Sequence, residues 1–311
     1  MGKNELEKAK NYRAGFVGLI GQPNAGKSSL MNFLVKEKVS IVTAKPQTTR
    51  RRIMGLFSSS QGQIVFVDAP GLVKSTSGLN LFLQKEAEDV IKNSDVILAV
   101  LSIDESDIAR NQEIIDLVKA SKKPWLGIIT KTDLKDKSHR VLMLKDLVES
   151  YGVPCLQVSN TKDKAEDREA ILVEILNQLP LSEAPLYDDE LFTTESVRNL
   201  AEEIVREKCF EVLTHEIPYS LAVQTRKFDE NAKPCPKIYI DILVSKDSHK
   251  PIVVGKSAAV IKKIGELSRK EIQKMMDVSK VYLELNVVVK ENWFEQKNLM
   301  KELNYVVNTT K

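Results

Sequence analysis

The sequence predicts two domains of different class: an α/β domain built on a mostly parallel, doubly wound sheet, followed by a smaller α+β domain. Three observations lead there. Five short β-branched runs, at 15–20, 64–68, 95–102, 124–130 and 153–159, alternate with amphipathic stretches between Gly15 and Gln178, the order that βαβ units require. These runs lack the period-two alternation of a half-exposed strand, so they read as strands covered on both faces. After residue 195 the order becomes helix, two alternating strands, then helix and strand. A length of 311 residues suits that division, since domains run to roughly 100–200 residues.

The boundary falls in residues 181–195, which contain Pro185 and the acidic cluster Asp188-Asp189-Glu190 and read as a linker between a domain at 1–180 and a domain at 196–311. In the second domain the pattern predicts a helix from about Ser196 to Thr214 and strands over 219–228 and 237–244. A short strand over 252–254, a helix over 256–276 and a strand over 281–289 complete it.

With hydrophobic residues at 42% and charged residues at 29%, the composition is that of a globular chain and excludes collagen, coiled coil and global disorder. The longest nearly uninterrupted apolar run, Val96 to Ile103, is far short of the roughly 20 residues that span a bilayer, so no transmembrane helix is expected. Met1 to Glu5 is charged and leads into no apolar signal core, so secretion is not expected. Cys155, Cys209 and Cys235 are scattered, which suits a reducing cytoplasm. A net charge of +3 says little by itself. Its placement says more: Lys250, Lys256, Lys262, Lys263, Arg269, Lys270 and Lys274 face only Glu266 and Glu271 within 250–274.

Four motifs follow the ends of predicted parallel strands, the edge at which open α/β sheets bind ligands. Gly21-Gln22-Pro23-Asn24-Ala25-Gly26-Lys27-Ser28 matches the phosphate-binding G-x-x-x-x-G-K-[ST] loop between a strand and a helix. Its amides and helix N-terminus suit phosphate oxygens, Lys27 suits the β- and γ-phosphates, and the Ser28 hydroxyl suits Mg²⁺. Asp68-Ala69-Pro70-Gly71 supplies a carboxylate for Mg²⁺ through water and a glycine amide for the γ-phosphate. Thr48 and Thr49 lie in the polar segment before it, where a threonine hydroxyl completes a Mg²⁺ shell once a γ-phosphate is bound. Thr130-Lys131-Thr132-Asp133 offers a carboxylate that accepts from guanine N1–H and its N2 amino group but meets an acceptor at adenine N1. The Lys131 stem can lie along the base, and Ser159-Asn160 can contact the guanine carbonyl through a backbone amide.

Together these residues resemble a translation-factor-class GTPase, and specifically the Era family. Gln22-Pro23-Asn24-Ala25, Thr48-Thr49-Arg50, the turn from Asp68 to Gly71 with Leu72 after it, and the basic C-terminal module carry the resemblance, which spans roughly residues 13–305. It implies a P-loop GTPase domain joined to a type II KH domain that binds the 3′ end of small-subunit (16S) ribosomal RNA during assembly of the small ribosomal subunit. GTP or GDP and Mg²⁺ are the implied cofactors. Lys27, Asn24, Thr49 and Gly71 are implied at the reacting phosphate, with Ser28, Thr49 and Asp68 as the Mg²⁺ set. In related GTPases an asparagine at the position of Asn24 helps bind K⁺, so K⁺ is a further candidate. The chain departs from the family in having Thr130 for asparagine, Asn160 for a small residue, and Leu72 where Ras-type enzymes carry the water-orienting glutamine. Slow turnover is expected from Leu72 and weaker nucleotide affinity from Thr130, with little effect from Asn160, whose contact is mainly through the backbone.

Gly255-Lys256-Ser257-Ala258 resembles the G-x-x-G loop with which KH domains clamp nucleic-acid backbone, with alanine in place of the second glycine. Lys256, Lys262, Lys263 and Arg269 surround it as phosphate contacts, and Ile252, Val254, Ile261 and Ile264 are candidates for the base-reading surface. GTP binding is expected to order residues near 40–50 and 72–80 and so change RNA affinity. Three alternatives stay open: an assembly factor holding GTP as a structural ligand with negligible hydrolysis, a GTPase serving RNA modification, and a GTPase peripheral to the inner face of the cell membrane. For the last, the amphipathic stretch Leu79–Ile91 is the candidate, though a core-facing helix explains it better. A cytoplasmic monomer is the expectation.

Overall fold

The computed structural model describes residues 11–43, 45, 48–72, 78–104, 108–159, 164–303 and 305. They gather into two compact units, one drawn from 1–40, 49–76 and 83–194, the other from 41–48, 77–82 and 195–311.

The first unit begins with β1 (Arg13–Gly21), α1 (Lys27–Val35), β2 (Ile53–Ser59) and β3 (Gly62–Asp68). There follow α2 (Gly78–Asn93), β4 (Val96–Ser102), α3 (Ile108–Ala120), β5 (Trp125–Thr130), α4 (His139–Glu149), β6 (Cys155–Gln157) and α5 (Ala165–Gln178). The strands form one sheet in the order β2-β3-β1-β4-β5-β6, parallel throughout except for the antiparallel β2–β3 pair. Every residue of β3, β4 and β5 is buried, as their unbroken apolar runs require. Alternate residues serve opposite faces. Val96, Leu98 and Val100 of β4 join a core with Leu30 and Leu34 of α1 and Ile171 and Ile175 of α5. Ile97, Ala99 and Leu101 join another with Ala87 and Val90 of α2, Val118 of α3 and Val148 of α4. Because β1 sits between β3 and β4, the chain winds away from it in both directions and opens a crevice at the strands' carboxyl ends.

The five expected runs correspond to β1, β3, β4, β5 and β6. β2 was not expected; it is an outer strand with only half its residues buried, and it pairs antiparallel through the turn at Ser60-Gln61. Residues 180–193 cover that region. Thr193 Oγ1 donates to the Met54 carbonyl at 2.6 Å, and Leu56 N–H to the Phe192 carbonyl at 2.9 Å, which shields an edge that would otherwise be open. Gln63, fully buried in β3, accepts from the amides of Leu186 and Tyr187 at 2.8 and 2.9 Å and donates to the Tyr187 carbonyl at 2.9 Å.

The second unit contains α6 (Val197–Val212), α7 (Ile217–Ser220), β7 (Ala222–Asp229), β8 (Lys237–Val244), α8 (His249–Val254), α9 (Ala259–Met275), β9 (Tyr282–Val289) and α10 (Lys297–Glu302). Ser196 caps α6 by accepting from Asn199 N–H at 3.2 Å. β8 pairs antiparallel with β7 and parallel with β9. Its inward residues Ile238, Ile240 and Ile242 form one core with Ala201 and Val205 of α6 and Ile264 and Ile272 of α9. Trp293 is fully buried, its indole N–H on the Ser220 carbonyl at 2.8 Å.

Two expected elements of this unit are corrected. The run 252–254 is the end of helix α8, not a strand: three residues are too few for periodicity to decide, and Val253 is fully buried with Val254 packed at the margin of the core, while Ile252 is 51% exposed. The strand expected over 219–228 starts at Ala222, because Pro218 sits in the helical turn α7. α6 also buries Glu203, Arg206, Glu207 and Lys208. Arg206 forks onto the Glu203 carboxylate and donates to the Thr48 carbonyl, Glu207 accepts from Val42 N–H at 3.0 Å, and the Lys45 ammonium donates to the Phe210 and Leu213 carbonyls at the helix end.

Replacing Gln63 by methionine keeps the volume and deletes these bonds; urea unfolding of Gln63→Met is expected to show a loss of about 1–3 kcal/mol, and an unchanged midpoint would contradict the role given to this side chain.

Candidate functional site

The end of β1 runs through Gln22–Gly26 into α1, and the turn requires left-handed backbone at Asn24 (φ 63°) and Gly26 (φ 90°). No side chain caps α1, so its first amides face outward into the loop. Lys27 curls beneath this loop and donates to the carbonyls of Gly21 and Gln22 at 3.1 Å each. Burial lowers its pKa to about 8, with the Asp68 charge acting in the opposite sense.

Asp68 ends β3 and is wholly buried. Its Oδ2 accepts from the hydroxyls of Ser28 (2.5 Å), Ser40 (2.9 Å) and Thr49 (3.3 Å), and Ser28 and Thr49 also touch each other at 2.9 Å. Burial raises its pKa, and the Lys27 charge and the three hydroxyls restrain that rise. Asp68 Oδ1 is buried with no hydrogen-bond partner among the described residues. A buried carboxylate oxygen left unpaired beside two hydroxyls is a hard, oxygen-only donor set, and it fits Mg²⁺ bound through few protein ligands. Gly71 follows where the chain returns to the loop: a Cβ there would lie 2.7 Å from Pro23 Cα, so only glycine allows the approach. Ala69 is buried between them, Pro70 precedes the glycine, and Leu72 leans into the apolar core behind α2.

At the end of β5, Thr130 is fully buried and its hydroxyl donates to the Ala25 carbonyl at 2.7 Å. The departure at this position therefore ties the loop of β1 to β5. Lys131 has φ 60° and its ammonium lies 3.1 Å from Asp104, which also holds Lys137 at 2.5 Å. Bonds from Lys137 and Lys131 keep the Asp104 carboxyl below its usual pKa. Thr132 and Asp133 form the turn beyond, and the Asp133 carboxylate accepts from Ser159 Oγ at 3.0 Å. Asn160 lies outside the described residues, as does most of the segment expected near 72–80. Gly21, Lys27, Ser28, Asp68, Thr130 and Asp133 thus gather at one edge of the sheet, from three strand ends. Ser40, Asn32 and Asp104 were missed, because their roles arise from hydrogen bonds between distant chain segments.

In the second unit, α8 ends at Gly255 (φ 74°), where a Cβ would meet Val260 Cγ2 at 2.4 Å. Ser257 and Ala258 then take left-handed backbone, at φ 52° and 61°, before α9 begins. Lys256, Lys262 and Lys263 are exposed and Arg269 is half-buried, so the cations stand around the loop and along α9. Of the apolar candidates, Ile264 belongs to the core, Val254 and Ile261 are half-buried, and Ile252 is exposed beside the loop.

Residues 16–131 match a family model described as a 50S ribosome-binding GTPase, and residues 216–294 match a KH domain. The GTPase Era of Geobacter metallireducens is 36% identical over 299 residues, covering 94% of this chain and 98% of the relative. That of Clostridium tetani is 35% identical over 298 residues, covering 94% and 99%. A solved Era variant from Aquifex aeolicus, bound to GDP and AlF4⁻, has a TM-score of 0.87 at 29% identity, over 95% of this chain and 100% of its own. An Era in complex with MgGDPNP and nucleotides 1506–1542 of 16S ribosomal RNA has the same score and coverage at 30% identity.

With a Lys27 pKa of about 8 in the free protein, a bound polyphosphate favours the ammonium and binding takes up a proton as pH rises through that value. Nucleotide affinity is therefore expected to fall above pH 8, and calorimetry in buffers of different ionisation enthalpy should register the uptake; pH-independent affinity from 7 to 9 would refute it.

Proposed function

We propose, from the premise that this chain belongs to the Era family of GTPases, that it cycles slowly between GTP- and GDP-bound states and through its KH domain binds the 3′ end of small-subunit ribosomal RNA, assisting assembly of that subunit. The observation that carries this reading is the meeting of a buried lysine, a buried carboxylate with one unpartnered oxygen, and the Asp133–Ser159 pair at a single sheet edge. That a solved Era holds MgGDPNP together with 16S nucleotides supports the pairing of the two activities.

Lys27 meets the β- and γ-phosphates, and the amides of Gly26, Lys27 and Ser28 meet their oxygens. Mg²⁺, when bound, neutralises charge on the phosphates, held by Ser28 and Thr49 with Asp68 behind it. Gly71 allows a backbone amide to approach the γ-phosphate. Asp133 reads the Watson–Crick edge of guanine and Lys131 covers the ring, with Ser159 and Asn160 beside the guanine carbonyl. Leu72 packs into the core and has no group to orient the attacking water, which supports slow turnover. Asn24, exposed at the crest of the loop, is the K⁺ ligand of this reading.

For RNA, Gly255–Ala258 grips the backbone, Lys256, Lys262, Lys263 and Arg269 neutralise phosphates, and Ile252 faces the bases. The cytoplasm and the small subunit are its place of work, in monomeric form. No helix among the described residues is long and apolar enough to cross a membrane. The apolar side of α2, the stretch considered for peripheral docking, is spent in the protein core through Leu83, Ala87 and Val90.

Asp133→Asn is expected to weaken GTP binding by about a hundredfold or more and to admit xanthosine triphosphate, because an amide can donate where xanthine presents a carbonyl. Unchanged GTP affinity in an equilibrium titration would refute the base assignment. Ala258 carries a methyl group where the resembled loop has its second glycine, and this holds the backbone further from a bound phosphate. Ala258→Gly is therefore expected to tighten binding of an RNA with the 16S 3′ end; equal or weaker binding in an anisotropy titration would refute the clamp.

A further inference from the structure

Asp68 carries one contact that neither phosphate nor base recognition calls for. Ser40 is 1% exposed, and its hydroxyl donates to Asp68 Oδ2 at 2.9 Å, the same oxygen reached by Ser28 and Thr49. Ser40 is itself held on both sides. Asn32, on α1, accepts from the amides of Val39 and Ser40 at 3.0 and 2.9 Å and donates to the Ser40 carbonyl at 2.7 Å. Three bonds from one side chain fix the peptide groups around Ser40, so its hydroxyl reaches Asp68 from backbone that is held in place. The other carboxylate oxygen, Oδ1, is buried with no hydrogen-bond partner among the described residues.

We propose that Ser40 is a positioning residue of the Mg²⁺–nucleotide site: its hydroxyl, carried on backbone that Asn32 holds, pins Oδ2 of Asp68 and so fixes the carboxylate in one of its two arrangements before a cation binds. This rests on the reading of the site given above. The three hydroxyls on Oδ2 divide the work between them. Ser28 and Thr49 are oxygen donors that a cation takes as ligands, and their orientation then follows the metal. Ser40 acts only through the carboxylate, so its hold on Oδ2 does not depend on what occupies the site. Rotation of a carboxylate about its Cβ–Cγ bond exchanges the two oxygens, and a buried carboxylate without a fixed donor samples both arrangements. Fixing one of them in advance removes that loss from cation binding.

The test uses the full chain and a fluorescent GDP analogue, whose release is followed as Mg²⁺ is titrated, without turnover. Ser40→Ala is expected to raise the Mg²⁺ concentration for half-maximal slowing of release by about tenfold, equivalent to about 1.4 kcal/mol. Analogue affinity in EDTA should match wild type, and Ser40→Thr, which restores a hydroxyl, should return the Mg²⁺ curve toward wild type. Should Ser40→Ala fail to fold, Ser40→Cys replaces it, keeping the volume with a weaker donor, and the same direction is expected. An unmoved Mg²⁺ curve, or affinity lost equally in EDTA and Mg²⁺, would overturn the assignment of Ser40. Wild-type release that ignores Mg²⁺ would overturn the reading of the whole site, and this assignment with it.

Discussion

The first unit is organised around two opposite charges removed from water at one sheet edge. Burial alone would neutralise both, and it acts on both: the Lys27 pKa falls to about 8 and the Asp68 pKa rises. Carbonyls of Gly21 and Gln22 hold the ammonium, and three hydroxyls hold one carboxylate oxygen. Such a pair contributes little to stability relative to well-packed apolar residues of the same size, so its retention points to chemistry. The surrounding backbone follows from it: the loop must arch over the lysine, which sets the left-handed residues Asn24 and Gly26, and the chain after Asp68 must pass close to Pro23, which sets Gly71.

The base side is joined to this centre through one hydroxyl. Thr130 leaves β5 and reaches the Ala25 carbonyl, so the loop over the phosphates and the strand that carries Lys131 and Asp133 are braced together. Around it the polar groups are paired in sequence: Asp104 between Lys131 and Lys137, and Asp133 with Ser159. Each pairing narrows the rotamers of a side chain at this edge, which is the value of preorganisation in a polar site.

In the second unit the same economy appears in a different form. Its core is apolar and contiguous beneath β8, while Glu207 and Arg206 of α6 hold the Val42 amide and the Thr48 carbonyl, and Lys45 holds a carbonyl at the end of α6. The lysines of α9 are exposed on the side away from that core, and the loop at Gly255–Ala258 stands beside them.

Much of this was legible in the chain itself. Strands buried on both faces declare themselves as unbroken apolar runs, and β3, β4 and β5 did; the Lys27 loop, Asp68 and Asp133 are short-range motifs whose spacing is their mechanism. The resemblance to a family of GTPases rested on the same local residues. What tertiary structure alone decided are relations between distant segments. β2 becomes a strand because β3 offers it an edge, and three neighbouring apolar residues, Ile252 to Val254, close a helix although their run is too short to show a period. Thr130, Ser40 and Gln63 have no local signature, since a hydroxyl or amide acquires a role only when folding brings a buried carbonyl, carboxylate or amide within 3 Å of it. Local pattern records what a residue prefers; which buried polar group it must satisfy is a property of the packed chain.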